Sequence, residues 1–311
     1  MKAAGLIGFL LTVALPAFAR DSAGRFQVLT TFVPLYCFAA QVAGSAADVE
    51  NLLPANVSPH DYQFSRRDLR KLEKADVLVL NGGGLDSWLN PLLEGTRATT
   101  IVIKAIDGTD SELIRQPPSL EGFSTPSSVK GQPNPHIWLD PLLAQAIVTN
   151  ILHALQKADP THSAEYATNA KAYVSVLDKL NQDFQKTLAP FRGVPMVTLH
   201  DAFPYLARRY GLRLAGVLEQ VPDVDPSAKY LRAFQQLIRR EQIEVFFLET
   251  QAASQLALQL SSDLHLRVAR LDTIETGALR KETYELAMRQ NLKTLSESLS
   301  LSHAPKPEAK R

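Results

Sequence analysis

Three histidines, His60, His136 and His200, stand at turn signals in the sequence, two of them directly after proline. An aspartate, Asp272, closes the apolar run Val268 to Leu271. Three imidazoles and one carboxylate form a donor set for a borderline-soft divalent ion: zinc, and also manganese or iron(II). The four residues are far apart in the chain, so no local segment can assemble them. A folded scaffold has to bring distant loops together.

Each candidate has its own local context. His60 ends the loop Pro54-Ala55-Asn56-Val57-Ser58-Pro59, where Pro59 lowers the entropy lost on fixing the imidazole. His136 lies in Asn134-Pro135-His136-Ile137-Trp138-Leu139-Asp140-Pro141. There Asp140 is expected to cap a helix that Pro141 opens. His200 follows the strand-like Val197-Thr198-Leu199, and Asp201 after it is expected to cap the next helix. Asp272 and its rival Glu249 both end apolar runs, and ligands of open α/β sheets collect beyond the carboxyl ends of strands. Asp272 is preferred as the fourth ligand, although aspartate after a strand is also a common turn former. His153, His162, His265 and His303 have no such setting.

The elements that must position these residues alternate. Strands are expected over 26–32, 49–53, 76–80 and 99–103, with helices over 34–44, from the capping box Ser65-Arg66-Arg67-Asp68 to about Lys74, and through Trp88. This is the βαβ pattern of a parallel sheet covered by helices. Residues 107–135 are rich in Pro, Ser and Gly without apolar period and read as a mobile surface loop. From Pro160 to about Leu188 apolar or small residues recur at three and four (Ala170, Tyr173, Val174, Leu177, Leu180, Phe184), which predicts one long helix. Alternation then resumes to the closing helix at about Leu299. The stretches Leu29–Gly44 and Thr198–Gly211 share a strand, proline turn, helix and glycine stop, as two similar lobes would.

Composition narrows the class. Lys and Arg number 33 against 32 Asp and Glu, a balance that argues against a nucleic-acid partner. The N-terminus reads as an export signal: Lys2, the apolar stretch 5–15, then Ala17-Phe18-Ala19 with cleavage expected after about Ala19. The apolar stretch is short for a membrane span. The single cysteine, Cys37, lies in an apolar segment and reads as a buried thiol. The expected organisation is a signal peptide over 1–19, a first lobe over 20–158, a linking helix over 159–190, a second lobe over 191–302 and a disordered tail over 303–311. The fold class is α/β, with two mostly parallel, helix-flanked sheets joined by one long rigid helix.

Taken together, these segments resemble the periplasmic solute-binding proteins of zinc and manganese ABC transporters. Asn134 to Pro141 is the most specific part. His200-Asp201-Ala202-Phe203 with Tyr205 and Tyr210-Gly211, Leu53-Pro54 with Ser58 to Asp61, and Leu271-Asp272 with Gly277 supply the rest. The resemblance implies two lobes with Zn2+ or Mn2+ held between them by His60, His136, His200 and Asp272. It implies a monomer in the periplasm that hands its ion to an ABC permease at the inner membrane. The absence of histidine from 107–135 departs from many zinc-specific members. His200, where many manganese members carry glutamate, leans toward zinc.

Four protein ligands would leave no coordination position for an activated water, so no enzymatic activity is expected. Release of the ion is expected to begin by loosening the Asp272 side of the site. The rival reading is a periplasmic zinc-dependent hydrolase with three ligands, a bound water and a general base. A binder of an organic solute, with incidental histidines, is a further alternative.

Overall fold

In the computed structural model, the described residues are 24–302, apart from 61, 94–95, 116–119, 121–122, 124–130, 222–223 and 251–253. The expected signal peptide and tail lie outside them. Strands β1 (Phe26–Thr30), β2 (Ala47–Asn51), β3 (Val77–Leu80) and β4 (Ile101–Lys104) alternate with helices α1 (Val33–Ala43), α2 (Arg66–Leu72) and the short α3 (Asn90–Leu93). After α4 (Pro141–Ala158) and α5 (Ser163–Leu188), strands β5 (Pro195–His200), β6 (Arg213–Glu219), β7 (Val245–Glu249) and β8 (Arg267–Leu271) alternate with α6 (Pro204–Tyr210), α7 (Ala228–Arg240) and α8 (Gln255–Asp263). Helix α9 (Thr283–Ser302) closes the described chain.

Both sheets are parallel and share one topology, β2-β1-β3-β4 and β6-β5-β7-β8. This common order accounts for the resemblance between Leu29–Gly44 and Thr198–Gly211. Strand β3 (VLVL) is buried along its whole length, whereas edge strand β4 buries alternate faces less completely. An unbroken apolar run is what a central parallel strand requires, because helices cover both of its faces. In each sheet the strand order reverses beside the first strand, between β1 and β3 and between β5 and β7. The crevice beyond the carboxyl ends at such a reversal is where open α/β sheets hold ligands.

Helix α5 has 26 residues and is about 39 Å long at 1.5 Å per residue. Its buried stripe runs Tyr166, Ala170, Tyr173, Leu177, Leu180, Phe184, Leu188. Tyr173 meets Phe38 of α1 at 6.2 Å, and Phe184 stacks on Tyr210 of α6 at 4.9 Å, so the helix touches both lobes. The main apolar core is continuous from the first sheet through α5 and α6 to α9, and a smaller cluster fills the outer side of the second sheet. No helix among the described residues is long and apolar enough to cross a membrane.

Two local expectations need correction. In the stretch 107–135, much of which (116–119, 121–122 and 124–130) lies outside the described residues, two described residues are packed rather than free on the surface. Leu120 is buried in the second lobe's outer cluster, and Phe123 stands edge-on to Tyr230 at 5.1 Å. Gly216 makes room for this packing, since a Cβ there would meet Leu237 at 2.7 Å and Phe234 at 3.2 Å. Asp201, in turn, does not cap α6. The cap position is Phe203, with no side-chain hydrogen bond. Pro204 opens that helix without needing a donor satisfied.

Candidate metal centre

His60 is aimed by its loop. The Pro54 carbonyl accepts from Val57 N at 3.1 Å, Ser58 Oγ accepts from His60 N at 3.3 Å, and Trp88 Nε1 donates to the Pro59 carbonyl at 3.2 Å. His136 is buried and held by its own segment. Asn134 Oδ1 accepts both the His136 backbone N–H at 3.0 Å and the ring Nδ1–H at 2.9 Å. Asn134 Nδ2 donates to the Asp201 carbonyl and carboxylate at 2.7 and 3.0 Å. The amide orientation therefore makes Nδ1 the donor and leaves Nε2 to face the cleft. Asp140 caps α4 through Leu142 N at 2.9 Å and pairs with Arg209 of the second lobe at 2.7 Å. The three glycines Gly82, Gly83 and Gly84 all have left-handed φ, and a Cβ on Gly83 would press within 3.4 Å of the Pro135 backbone. They let the β3–α3 turn lie flat against the His136 segment.

His200 ends β5, and Glu249 ends β7, the two strands that flank the reversal in the second sheet. The two side chains form a short contact between His200 Nδ1 and Glu249 Oε1. A carboxylate on the far ring nitrogen fixes the tautomer and raises the basicity of Nε2. Glu249 is thus the orienting partner of a histidine rather than a member of the converging set.

The place expected for Asp272 belongs to Glu275. Asp272 Oδ1 accepts from Ile274 N at 2.7 Å, and its backbone is tied to Asn291 at 2.7 and 2.8 Å. Ile274 has φ 64°, a left-handed conformation unfavourable for a β-branched residue. Asp272 therefore serves as the local acceptor of a sharp turn, and that turn swings the next acid, Glu275, into the cleft. Aspartate's turn chemistry and a second acid three residues on were the available signals.

His60, His136, His200 and Glu275 each offer one ligand atom, all within 4.8 Å of one another. Glu275 Oε1 lies 3.0 Å from His136 Nε2, 3.3 Å from His60 Nε2 and 3.9 Å from His200 Nε2. His136 Nε2 and His200 Nε2 are 3.3 Å apart. Ligand atoms about 2.0 Å from a tetrahedral zinc are about 3.3 Å from each other. The four separations of 3.0, 3.3, 3.3 and 3.9 Å bracket that value.

Without an ion, the four groups act strongly on one another. Burial pushes His136 down to about 4, against the pull of Glu275. Burial also disfavours a charged His200, but attraction to Glu249, Glu275 and Asp201 outweighs it and lifts the group to about 9. Burial would raise Glu275, yet the hydrogen bonds and charges of His136 and His60 hold it well below the usual carboxylate range. A buried carboxylate among three imidazoles can compensate much of a divalent charge.

The chain matches the family ZnuA, described as zinc-uptake complex component A, periplasmic, over residues 28–298. It is similar to the high-affinity zinc uptake system protein ZnuA of Bacillus subtilis, 31% identical over 287 residues, which cover 90% of this chain and 89% of that one. It is 29% identical over 289 residues to the zinc-binding protein AdcA of Streptococcus pyogenes, covering 88% of this chain. The match spans only 56% of AdcA. Among solved structures, the SBP FpvC of Pseudomonas aeruginosa in complex with Mn2+ superposes with a TM-score of 0.77 at 26% identity. That superposition covers 89% of this chain and 99% of FpvC.

Proposed function

The chain belongs to the ZnuA family, and on that premise we propose that it captures a divalent transition-metal ion, zinc before manganese, and delivers it to an ABC permease. The observation that carries this reading is the convergence of three imidazole nitrogens and one carboxylate oxygen within 4.8 Å of one another. We assign His60, His136, His200 and Glu275 as the ligands. Three nitrogens and one oxygen in a compact shell suit zinc, whereas manganese favours more oxygen donors and higher coordination.

Four protein ligands leave no open position for an activated water, so the site holds an ion rather than driving hydrolysis. Nothing in the geometry favours the hydrolase reading. The export signal ending near Ala19 supports action in the periplasm; we further propose a monomer beside an inner-membrane permease, with lobes over 20–158 and 191–302 and the linking helix over 159–190 between them. Binding to the folded form alone adds about 4 kcal/mol of stability at a thousandfold excess over Kd.

The test is metal content and thermal stability of the purified chain after zinc loading and removal of free metal. The expected result is one zinc per wild-type chain with a raised Tm, and neither for His136→Ala. A wild-type chain that leaves loading metal-free would end the proposal.

A further inference from the structure

The four ligand atoms lie at one side of a cavity of about 400 Å³. The ligand shell itself, with all four atoms within 4.8 Å of one another, has no room for an ion and its waters together. An ion with six waters needs about 200 Å³, taking roughly 30 Å³ for each water and for the ion. The cavity can therefore admit the ion with its hydration shell, while the ligand shell can hold it only stripped. Dehydration has to occur between the two.

Besides the ligand His60, two residues lining the cavity carry a buried polar atom with no hydrogen-bond partner among the described residues: Asp201, through Oδ1, and Gln220, through Nε2. His200 and Glu219 are partners in the register of β5 and β6. Asp201 and Gln220 each lie one residue beyond that pair, on neighbouring strand ends. The carboxamide can turn over to present oxygen in place of nitrogen. A carboxylate oxygen and a carboxamide oxygen are the acceptors that waters on a cation seek. Asp201 is only half engaged elsewhere, through Oδ2 with Asn134. The exposed Arg115 and Gln132 lie on the solvent side of the same cavity.

We propose that Asp201 and Gln220 form an outer station that holds the hydrated cation by its water shell before it passes to the histidines. The inference rests on the metal-capture reading above and assigns a path to it. A station on the path between solvent and ligands works in both directions, so its loss slows entry and exit together and leaves Kd in place. Arg115 at the mouth repels the incoming cation, so its neutralisation speeds capture.

The experiment is stopped-flow zinc binding to the full chain, with Kd measured independently at equilibrium. Gln220→Leu removes one acceptor without touching Asn134. Asp201→Asn keeps an acceptor for Asn134 but removes the charge. For Gln220→Leu the expected result is a fall of about 10-fold in kon, matched by koff, with Kd within about twofold of wild type. Asp201→Asn, at a residue that also holds Asn134 and acts on His200, should lower kon at least as far, with Kd free to change. Arg115→Gln should raise kon, and more so at low ionic strength. If both station variants keep the wild-type kon, the station does not exist. If Gln220→Leu loses affinity through koff alone, it merely supports the ligand shell, and the proposal falls. Failure of the wild-type chain to bind zinc at equilibrium would instead overturn the capture reading itself.

Discussion

The two sides of the metal centre are built differently. His60 and His136 come from loops of the first lobe, and Glu275 follows the last strand of the second. Yet the segment carrying Glu275 is fastened to the first lobe. Gly277 N donates to the Ala55 carbonyl at 2.7 Å, Trp138 Nε1 to the Thr273 carbonyl at 2.8 Å, and Gln41 Nε2 to the Lys281 carbonyl at 3.1 Å. Tyr284 OH completes the seam by donating to the Trp138 carbonyl at 2.7 Å. Three ligands therefore form one pre-organised half. His200, backed by Glu249, is the only ligand carried by the second sheet. These bonds argue against release beginning on the Asp272 side, because the chain beyond Asp272 is fastened to the first lobe. The His200 side is tied across the lobes as well, by Asn134 to Asp201, but the ligand itself rides on the second sheet, and it is the one expected to part first.

The largest effects test the fastened half. Four-ligand zinc sites are worth about 10–16 kcal/mol, so an equal share for one ligand is about 100- to 1,000-fold in affinity. Glu275→Ala should lose at least that, since it removes the charge that three imidazoles surround. His200→Ala should lose less, because three ligands remain in place and water can fill the fourth position. Competition titration against a zinc chelator ranks the two. An equal loss would mean that the halves are not distinct. Glu249→Gln, which keeps the shape but weakens the partner of His200, should cost about 10- to 100-fold.

The same asymmetry has a pH signature. His136, held down to about 4, gives up no proton on binding near neutrality, whereas His200, lifted to about 9, does. Zinc binding at pH 7.5 should therefore release about one proton from His200, and affinity should rise about tenfold per pH unit until about pH 9. Calorimetry in buffers of different ionisation enthalpy counts the proton, and Glu249→Gln should abolish its release. The metal-free chain behaves oppositely. A histidine whose folded value exceeds its unfolded 6.5 stabilises fully below 6.5 and loses that contribution as pH rises through about 9. Its Tm should fall over the window in which zinc affinity rises.

The sequence made most of the scaffold legible because local rules and global fold agree in it. Continuous apolar strands, proline-opened helices and the stripe from Ala170 to Phe184 each had one physical reading. The three histidines were legible because turns and strand ends left them no packing role. What escaped was geometry set by tertiary contacts. Leu120 and Phe123 showed no period, yet two apolar residues suffice to anchor a polar segment on a neighbouring lobe. Asp201 looked like a cap, but the Asn134 amide from the other lobe claims it. The fourth carboxylate was missed because side-chain direction after a strand depends on one left-handed residue, Ile274, that no periodicity reveals.

The smallest expected effect on binding decides between the two acids of that turn. Asp272→Asn keeps an oxygen that can accept from Ile274 N, so the turn and the position of Glu275 should survive. Zinc affinity should then change by less than about threefold, far below the loss of one ligand. Asp272→Ala removes the acceptor, and the unpaired Ile274 N–H should cost about 1–3 kcal/mol of stability. Part of that loss should reappear in affinity, because the left-handed turn that aims Glu275 is no longer held. Denaturant unfolding of both variants without metal, set beside their zinc titrations, separates the two roles. A ligand would lose affinity in the Asn variant with stability intact. A turn residue loses stability first, and only in the Ala variant.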